Sequence, residues 1–247
     1  MNWQQLALGL ATLLLSSLGS AGETASDIAP GHYVPAGDWG TLSITTDASA
    51  RTRFDIESMG GNCHLCAVSG VIHGTTGIAD AWQEDDNAAR CRIAFRQRGG
   101  QIAVEPITEE ECRNYCGARA GFAGIYKTLP ARCTHQAQQA GRKAFLELYR
   151  ARQFAAASEK LAQLLAACGE FMNWVEIDAV RNDLALAQFH DGKPAACLTT
   201  LAATRAAKAV DADDLGLPPC DHDNYIEVAK ATWHNLTLCK KANTRHR

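Results

Sequence analysis

Arg90-Cys91-Arg92-Ile93-Ala94-Phe95-Arg96, followed after Gly99-Gly100 by Ile102-Ala103-Val104, decides the fold of the N-terminal half. Cys91, Ile93 and Phe95 point one way, Arg90, Arg92 and Arg96 the other, and Ile102 and Val104 continue the pattern. A period of two is that of a half-buried strand. The same alternation lies upstream, with Leu42 and Ile44 opposite Thr41, Ser43 and Thr45, and Phe54 and Ile56 opposite Arg53, Asp55 and Glu57. Gly and Asx clusters interrupt it at Gly37-Asp38, Thr46-Asp47-Ala48, Gly60-Gly61-Asn62, Gly74, Asp85-Asp86-Asn87 and Gly99-Gly100. Short strands at this spacing, with little helix between them, predict a small antiparallel barrel or sandwich. A barrel also removes the exposed edges of an open sheet. A last strand over residues 121–126 repeats Gly31-His32-Tyr33 as Gly124-Ile125-Tyr126, as first and last strands meeting at closure would.

One short helix interrupts the strands. Thr108-Glu109-Glu110-Glu111 reads as a capping box, with Thr108 accepting from a first-turn amide and Glu111 reaching back. Cys112 and Cys116 then share a helix face and are expected to bond to different partners, stapling the helix to the sheet. After Cys133 the period becomes helical: Phe145, Leu148 and Tyr149, then Phe154, Ala157, Leu161, Leu164 and Leu165, then Val180, Leu184 and Ala187, then Ala195, Leu198 and Leu201. Breaks fall at Cys168-Gly169, at His190-Asp191-Gly192-Lys193-Pro194 and at residues 216–219, with Pro194 at a first helical position. Residues 224–240 read as a closing helix. The fold class is therefore α+β in two domains: a disulfide-stapled barrel over residues 22–133 and an α-helical domain over residues 134–247.

The chain of 247 residues carries a net charge of −3. Residues 22–133 hold ten basic against fourteen acidic side chains, and residues 134–247 hold fourteen against thirteen. Neither half has the basic bias that nucleic acid requires, and the terminal run from Lys240-Lys241 to Arg245-His246-Arg247 reads as a frayed end. Residues 6–18 form an apolar leader followed by Gly19-Ser20-Ala21-Gly22. This is too short for a membrane span and reads as a signal peptide over residues 1–21, leaving no span after cleavage. A periplasmic or secreted location follows, and no cysteine near the cleavage point offers a lipid anchor.

Ten cysteines in an exported chain read first as disulfides: Cys63, Cys66, Cys91, Cys112, Cys116, Cys133, Cys168, Cys197, Cys220 and Cys239. Cys63-His64-Leu65-Cys66 has redox spacing, but it precedes a strand rather than opening a helix. As a zinc site it has only His73 nearby, and as a heme attachment it lacks a His after Cys66. Six N-terminal cysteines allow fifteen pairings and the four helical ones three. The facing of Cys66 and Cys91 favours a Cys66–Cys91 bond, and the helical four are expected to reinforce the helices. Acidic clusters at residues 84–87, 211–214 and 220–223 read as solvated surface, and Asn235-Leu236-Thr237 matches a glycosylation acceptor. Gly-x-Ser-x-Gly, His-Glu-x-x-His and phosphate-loop motifs are absent from the chain. No residue is assigned to catalysis, to a cofactor or to a metal. His64 and Arg119, in cysteine-rich turn-flanked segments, are the candidate partner contacts.

From Gly31 onward the order Gly-x-Tyr, Leu42-Ser43-Ile44, Phe54-Asp55-Ile56, residues 66–70, Cys91-Arg92-Ile93-Ala94-Phe95 and Ile102-Ala103-Val104 resembles small periplasmic β-barrels of the lysozyme-inhibitor type. The segment over residues 112–126 resembles cysteine-rich pieces of envelope proteins that accompany such barrels. Residues 141–165, with Leu148-Tyr149 and Phe154-Ala155, resemble a tetratricopeptide unit, and residues 182–201 a second, degenerate one. The resemblance covers about half the mature chain and departs from the inhibitors in lacking their short signature loop. It implies an exported, non-enzymatic binding protein of the cell envelope, an inhibitor of or immunity protein against a peptidoglycan-cleaving enzyme, with a protein partner and no cofactor. The rival expectations are an envelope scaffold acting through the helices, and an enzyme using Cys63 and Cys66 or dispersed carboxylates.

Overall fold

A computed structural model describes residues 28–81 and 89–245. The leader, the acidic cluster at residues 84–87 and the end of the terminal basic run lie outside the described residues. Eight antiparallel strands form a closed barrel in chain order: β1 (Gly31–Pro35), β2 (Gly40–Thr46), β3 (Thr52–Met59), β4 (Leu65–His73), β5 (Thr76–Ala79), β6 (Arg92–Arg98), β7 (Gln101–Pro106) and β8 (Gly124–Thr128). Closure is made by β1 on β8, with Val34 opposite Lys127. The inward residues of the alternation fill the lumen, and Leu42, Ile44, Phe54, Ile56, Ile93, Phe95, Ile102 and Val104 are all buried. A barrel of this strand number is just wide enough for side chains to pack across it.

Two local devices shape that lumen. Phe54 and Phe95 lie with ring centroids 5.2 Å apart, and a Cβ on Gly77 would come within 2.5 Å of the Phe95 ring. Only glycine lets β5 pass so close to the pair. The repeated Gly-x-Tyr also has a physical counterpart. Tyr33 Oη donates to Ala29 O at 3.0 Å and Tyr126 Oη to Phe122 O at 2.8 Å, so each ring is buried while its hydroxyl ties down the chain four residues upstream.

The short helix α1 (Glu109–Arg113) and the chain after it pack against one end of the barrel. Gly117 N donates to Leu65 O and Ala67 N to Tyr115 O, so this chain pairs with the start of β4. The capping box is corrected. The Thr108 side chain accepts no capping bond from a helix amide, and its Oγ1 instead accepts from Arg92 N at 2.8 Å and donates to Arg90 O. Backbone groups at the start of β6 compete successfully for the hydroxyl, because they need a partner as much as the helix end does.

The remaining chain is helical: α2 (His135–Arg150), α3 (Phe154–Cys168), α4 (Trp174–His190), α5 (Pro194–Ala202) and α6 (Pro219–Arg245). Consecutive helices pack pairwise, and α6 also crosses α4. Phe145, Leu161, Val180 and Leu184 form one core, and Ala185, Cys197, Leu201 and Cys239 another. Pro194 opens α5 at its first turn. Among the described residues no helix is long and apolar enough to cross a membrane.

All ten cysteines are paired: Cys63–Cys220, Cys66–Cys116, Cys91–Cys112, Cys133–Cys168 and Cys197–Cys239. Such a set fits an oxidising compartment. Cys112 and Cys116 do bond to different partners, Cys91 and Cys66, but they do not share a helix face, because α1 ends at Arg113 and Cys116 bridges to β4. The Cys66–Cys91 pairing is corrected: β5 lies between β4 and β6, and each sulfur meets a cysteine of the segment at the barrel end instead. The helical four do not pair among themselves either. Only Cys197–Cys239 does so, while Cys168 and Cys220 reach back to Cys133 and Cys63.

Candidate functional site

Helices and barrel meet along a seam that begins at the turn between β1 and β2. Gly37 and Asp38 both adopt left-handed backbone, with φ of 85° and 48°. The turn projects toward the helices, where Gly37 N donates to Glu170 O at 2.7 Å and Lys127 pairs with the Glu170 carboxylate. Val34, Cys133, Cys168 and Phe171 share one apolar cluster across the seam. At its other end Asn62 N donates to Asp221 Oδ2 at 2.9 Å, and Cys220 N to Asn62 Oδ1 at 3.0 Å. The Cys63–Cys220 bond closes this reciprocal pair covalently. Asp221 is thus a structural acceptor, which corrects the solvated-surface reading at that residue, whereas Asp223 is exposed as expected.

Between these two fastenings lies a cleft of about 330 Å³. The barrel contributes Asp38, Trp39 and Met59, and the helices contribute Trp174, Glu176 and Asp221. Trp39 is braced edge-on against Tyr126 at 5.8 Å and rests over Gly124, while Met59 N donates to Trp39 O at 2.8 Å. Asn173 caps α4, accepting from Glu176 N at 2.9 Å, and Glu176 Oε2 accepts from Asn173 N. This capping box fixes Trp174 as the first helical residue, leaving its side chain 38 % exposed. Met59 is 50 % exposed. The cleft therefore combines three carboxylates with two indoles and a thioether, a set suited to a cation with an apolar stem.

Desolvation at the seam raises the Asp38 pKa, repulsion by Glu176 raises it further, and His135 opposes both. Residue 38 stays solvent-accessible, so screening limits the free energy involved. The folded chain holds the Asp38 proton more tightly than the unfolded chain does. This group therefore costs stability as pH rises from the ordinary carboxylate value through the raised one. Urea midpoints across the acidic range are expected to fall less steeply with rising pH in Asp38→Asn than in the parent. Superimposable profiles would contradict that assignment.

His64 and Arg119 do come together, but beside the cleft rather than in it. Arg119 N lies 3.4 Å from His64 Nδ1, and Gly117 packs against the same ring. Gly60 runs so close that a Cβ there would lie 1.9 Å from Arg119 O. His64 therefore acts as a brace for the turn at residues 117–120. Asn235 of the glycosylation motif is 5 % exposed, and its Nδ2 donates to Asn182 Oδ1 at 3.1 Å, so the fold withholds it. Trp39, Met59 and Trp174 escaped sequence reasoning because single large apolar residues near turns carry no pattern, although two tryptophans next to turn signals, in a chain of 7 % aromatic content, were a usable signal. No family model matches the chain, and neither curated proteins nor solved structures show a significant similarity to it.

Proposed function

We propose that this chain is an exported binding protein of the cell envelope that acts without catalysis, its barrel and helical units holding a protein partner at the cleft between them. The observation that supports this reading best is the construction of the cleft. Its carboxylates and indoles come from both units, and a disulfide with two reciprocal hydrogen bonds keeps its walls in register. A preformed site of this kind binds with little ordering cost. The negative charge of the cleft favours a partner that presents Lys or Arg, and the resemblance to lysozyme inhibitors makes a peptidoglycan-cleaving enzyme the first partner to test.

Muramidase activity of chicken-, goose- and invertebrate-type lysozymes is to be measured with equimolar mature protein. Stoichiometric loss of one activity is expected. Trp39→Ala is expected to weaken that inhibition by about tenfold or more, in the range of an interfacial aromatic anchor. Undiminished activity of every type would overturn the inhibitor reading, and release of reducing ends from peptidoglycan by the protein alone would overturn the non-catalytic one.

A further inference from the structure

Trp174 also borders a second depression, of about 390 Å³, on the helical side of the cleft. Here the charge is reversed. Arg181, Arg205 and Lys208 line it, with Asp178 as the one carboxylate. Asp178 is 3 % exposed and both of its oxygens are engaged: Oδ1 accepts from Arg181 Nη1 at 2.9 Å, and Oδ2 from Arg205 N and Tyr225 Oη, each at 2.7 Å. It neutralises one cation at most. The Arg205 and Lys208 side chains make no salt bridge among the described residues.

The Arg205 guanidinium is nevertheless held in place. Its Cζ lies 5.1 Å from the centroid of the Trp174 ring, whose position is in turn set by Tyr225, 4.8 Å away between centroids. A guanidinium attracted to the face of an aromatic ring forms no hydrogen bond there, so its N–H groups remain free to meet a ligand. Arg181 is oriented by Asp178 and by Ala203 O, to which its Nη1 donates at 2.9 Å. Arg181, the Arg205 guanidinium over the indole, and a Lys208 ammonium in no ion pair among the described residues together make an anion site beside the exposed Trp174.

We infer that this basic pocket receives a carboxylate of the same partner segment whose cation enters the acidic cleft, so that Trp174 separates the two halves of a bipolar recognition site. The inference rests on the proposed binding function for its partner, but not for the pocket itself. Opposite charges on either side of one indole select register as well as charge, because a segment shifted along the seam would set like charges together.

Two measurements separate the pocket from the partner. The first titrates the isotope-labelled full-length mature protein with malonate, and separately with inorganic phosphate, following the indole N–H resonance of Trp174. A saturable shift with malonate is expected, together with an about tenfold or greater rise in its Kd in Arg205→Gln, as loss of a charge-assisted hydrogen bond implies. Lys208→Gln is expected to act in the same direction. Both side chains are exposed, so the variants should fold, and unchanged amide spectra elsewhere would verify it. Absence of a malonate shift, or one equal in the variants, overturns the pocket whatever binds the cleft. A site that prefers phosphate overturns the carboxylate assignment. The second measurement applies to any lysozyme type inhibited above. Arg205→Glu is expected to weaken inhibition about tenfold or more, and equal inhibition would remove the pocket from the partner interface even if malonate binds.

Discussion

Asp178→Ala is expected to destabilise the protein by about 3–5 kcal/mol, the cost of removing one partner from a buried charged network. Three donors converge on this carboxylate from two further parts of the helical unit: Arg181 on α4 itself, Arg205 N after α5 and Tyr225 Oη on α6. Tyr225 is fully buried, and its hydroxyl also accepts from Ala206 N at 2.9 Å. Alanine would leave the Arg205 amide and the buried Tyr225 phenol without this acceptor, and the Arg181 guanidinium with Ala203 O alone. Asp178→Asn keeps the shape and one acceptor oxygen but turns an amide donor toward donors, so an intermediate loss is expected. Urea unfolding without reductant checks both. A loss below about 1 kcal/mol for alanine would mean that water replaces the carboxylate, and that the helices do not depend on it. Burial and hydrogen bonding to Asp178 both raise the pKa of the Tyr225 phenol. The associated stability is present below the unfolded tyrosine value of about 10 and is lost as pH rises through the folded one.

The double substitution Cys63→Ser, Cys220→Ser is expected to cost about 5 kcal/mol, the chain-entropy value for a loop of this size. The two cysteines are 157 residues apart, so their bond constrains the unfolded chain more than any of the other four. It also fixes Asn62 and Cys63 in left-handed backbone, with φ of 58° and 56°. Serine at both positions frees that turn and leaves only hydrogen bonds between residue 62 and the start of α6. The barrel interior does not depend on the link, and neither does the Cys197–Cys239 bond. Amide exchange is therefore expected to accelerate at residues 60–64 and 220–224 while the amides of β2, β3 and β6 keep their protection. Uniform acceleration would show instead that barrel and helices unfold as one cooperative unit. Because Asp221 and Asn224 line the cleft next to Cys220, the same variant tests whether recognition requires the fastened seam.

Much of the fold was legible from local chemistry. Leu42, Ile44, Phe54 and Ile56 stood on one side of a period-two pattern and are buried in the barrel; Val180 and Leu184 stood on a helical stripe and are buried in one core with Phe145 of α2 and Leu161 of α3. Pro194, unable to continue a helix from its amino side, opens one. These readings hold because alternation and periodicity are properties of neighbours in the chain, and burial acts on them position by position.

Three kinds of feature could not be read this way. Thr108 had the right neighbours for a cap but a stronger claim from β6, so a local motif lost to a distant backbone. Cys66 faced the same side as Cys91, yet facing specifies a direction and not the group at the end of it; the segment carrying Cys112 and Cys116 stood there. The cleft assembles Asp38 and Trp39, Met59, Trp174 and Glu176, and Asp221 from four separated stretches, none of which carries a motif.

By itself the amino-acid sequence determined the kinds of element this protein contains, the buried side of several strands and helices, and a cysteine content that fits an oxidising compartment. The tertiary structure alone decided which cysteines bond, which turn meets which helix, and where acidic and basic side chains gather around Trp174. The physical reason is range: propensity and periodicity act over a few residues, whereas a disulfide, a seam or a recognition site is selected by distances in space that the packing of the whole chain creates.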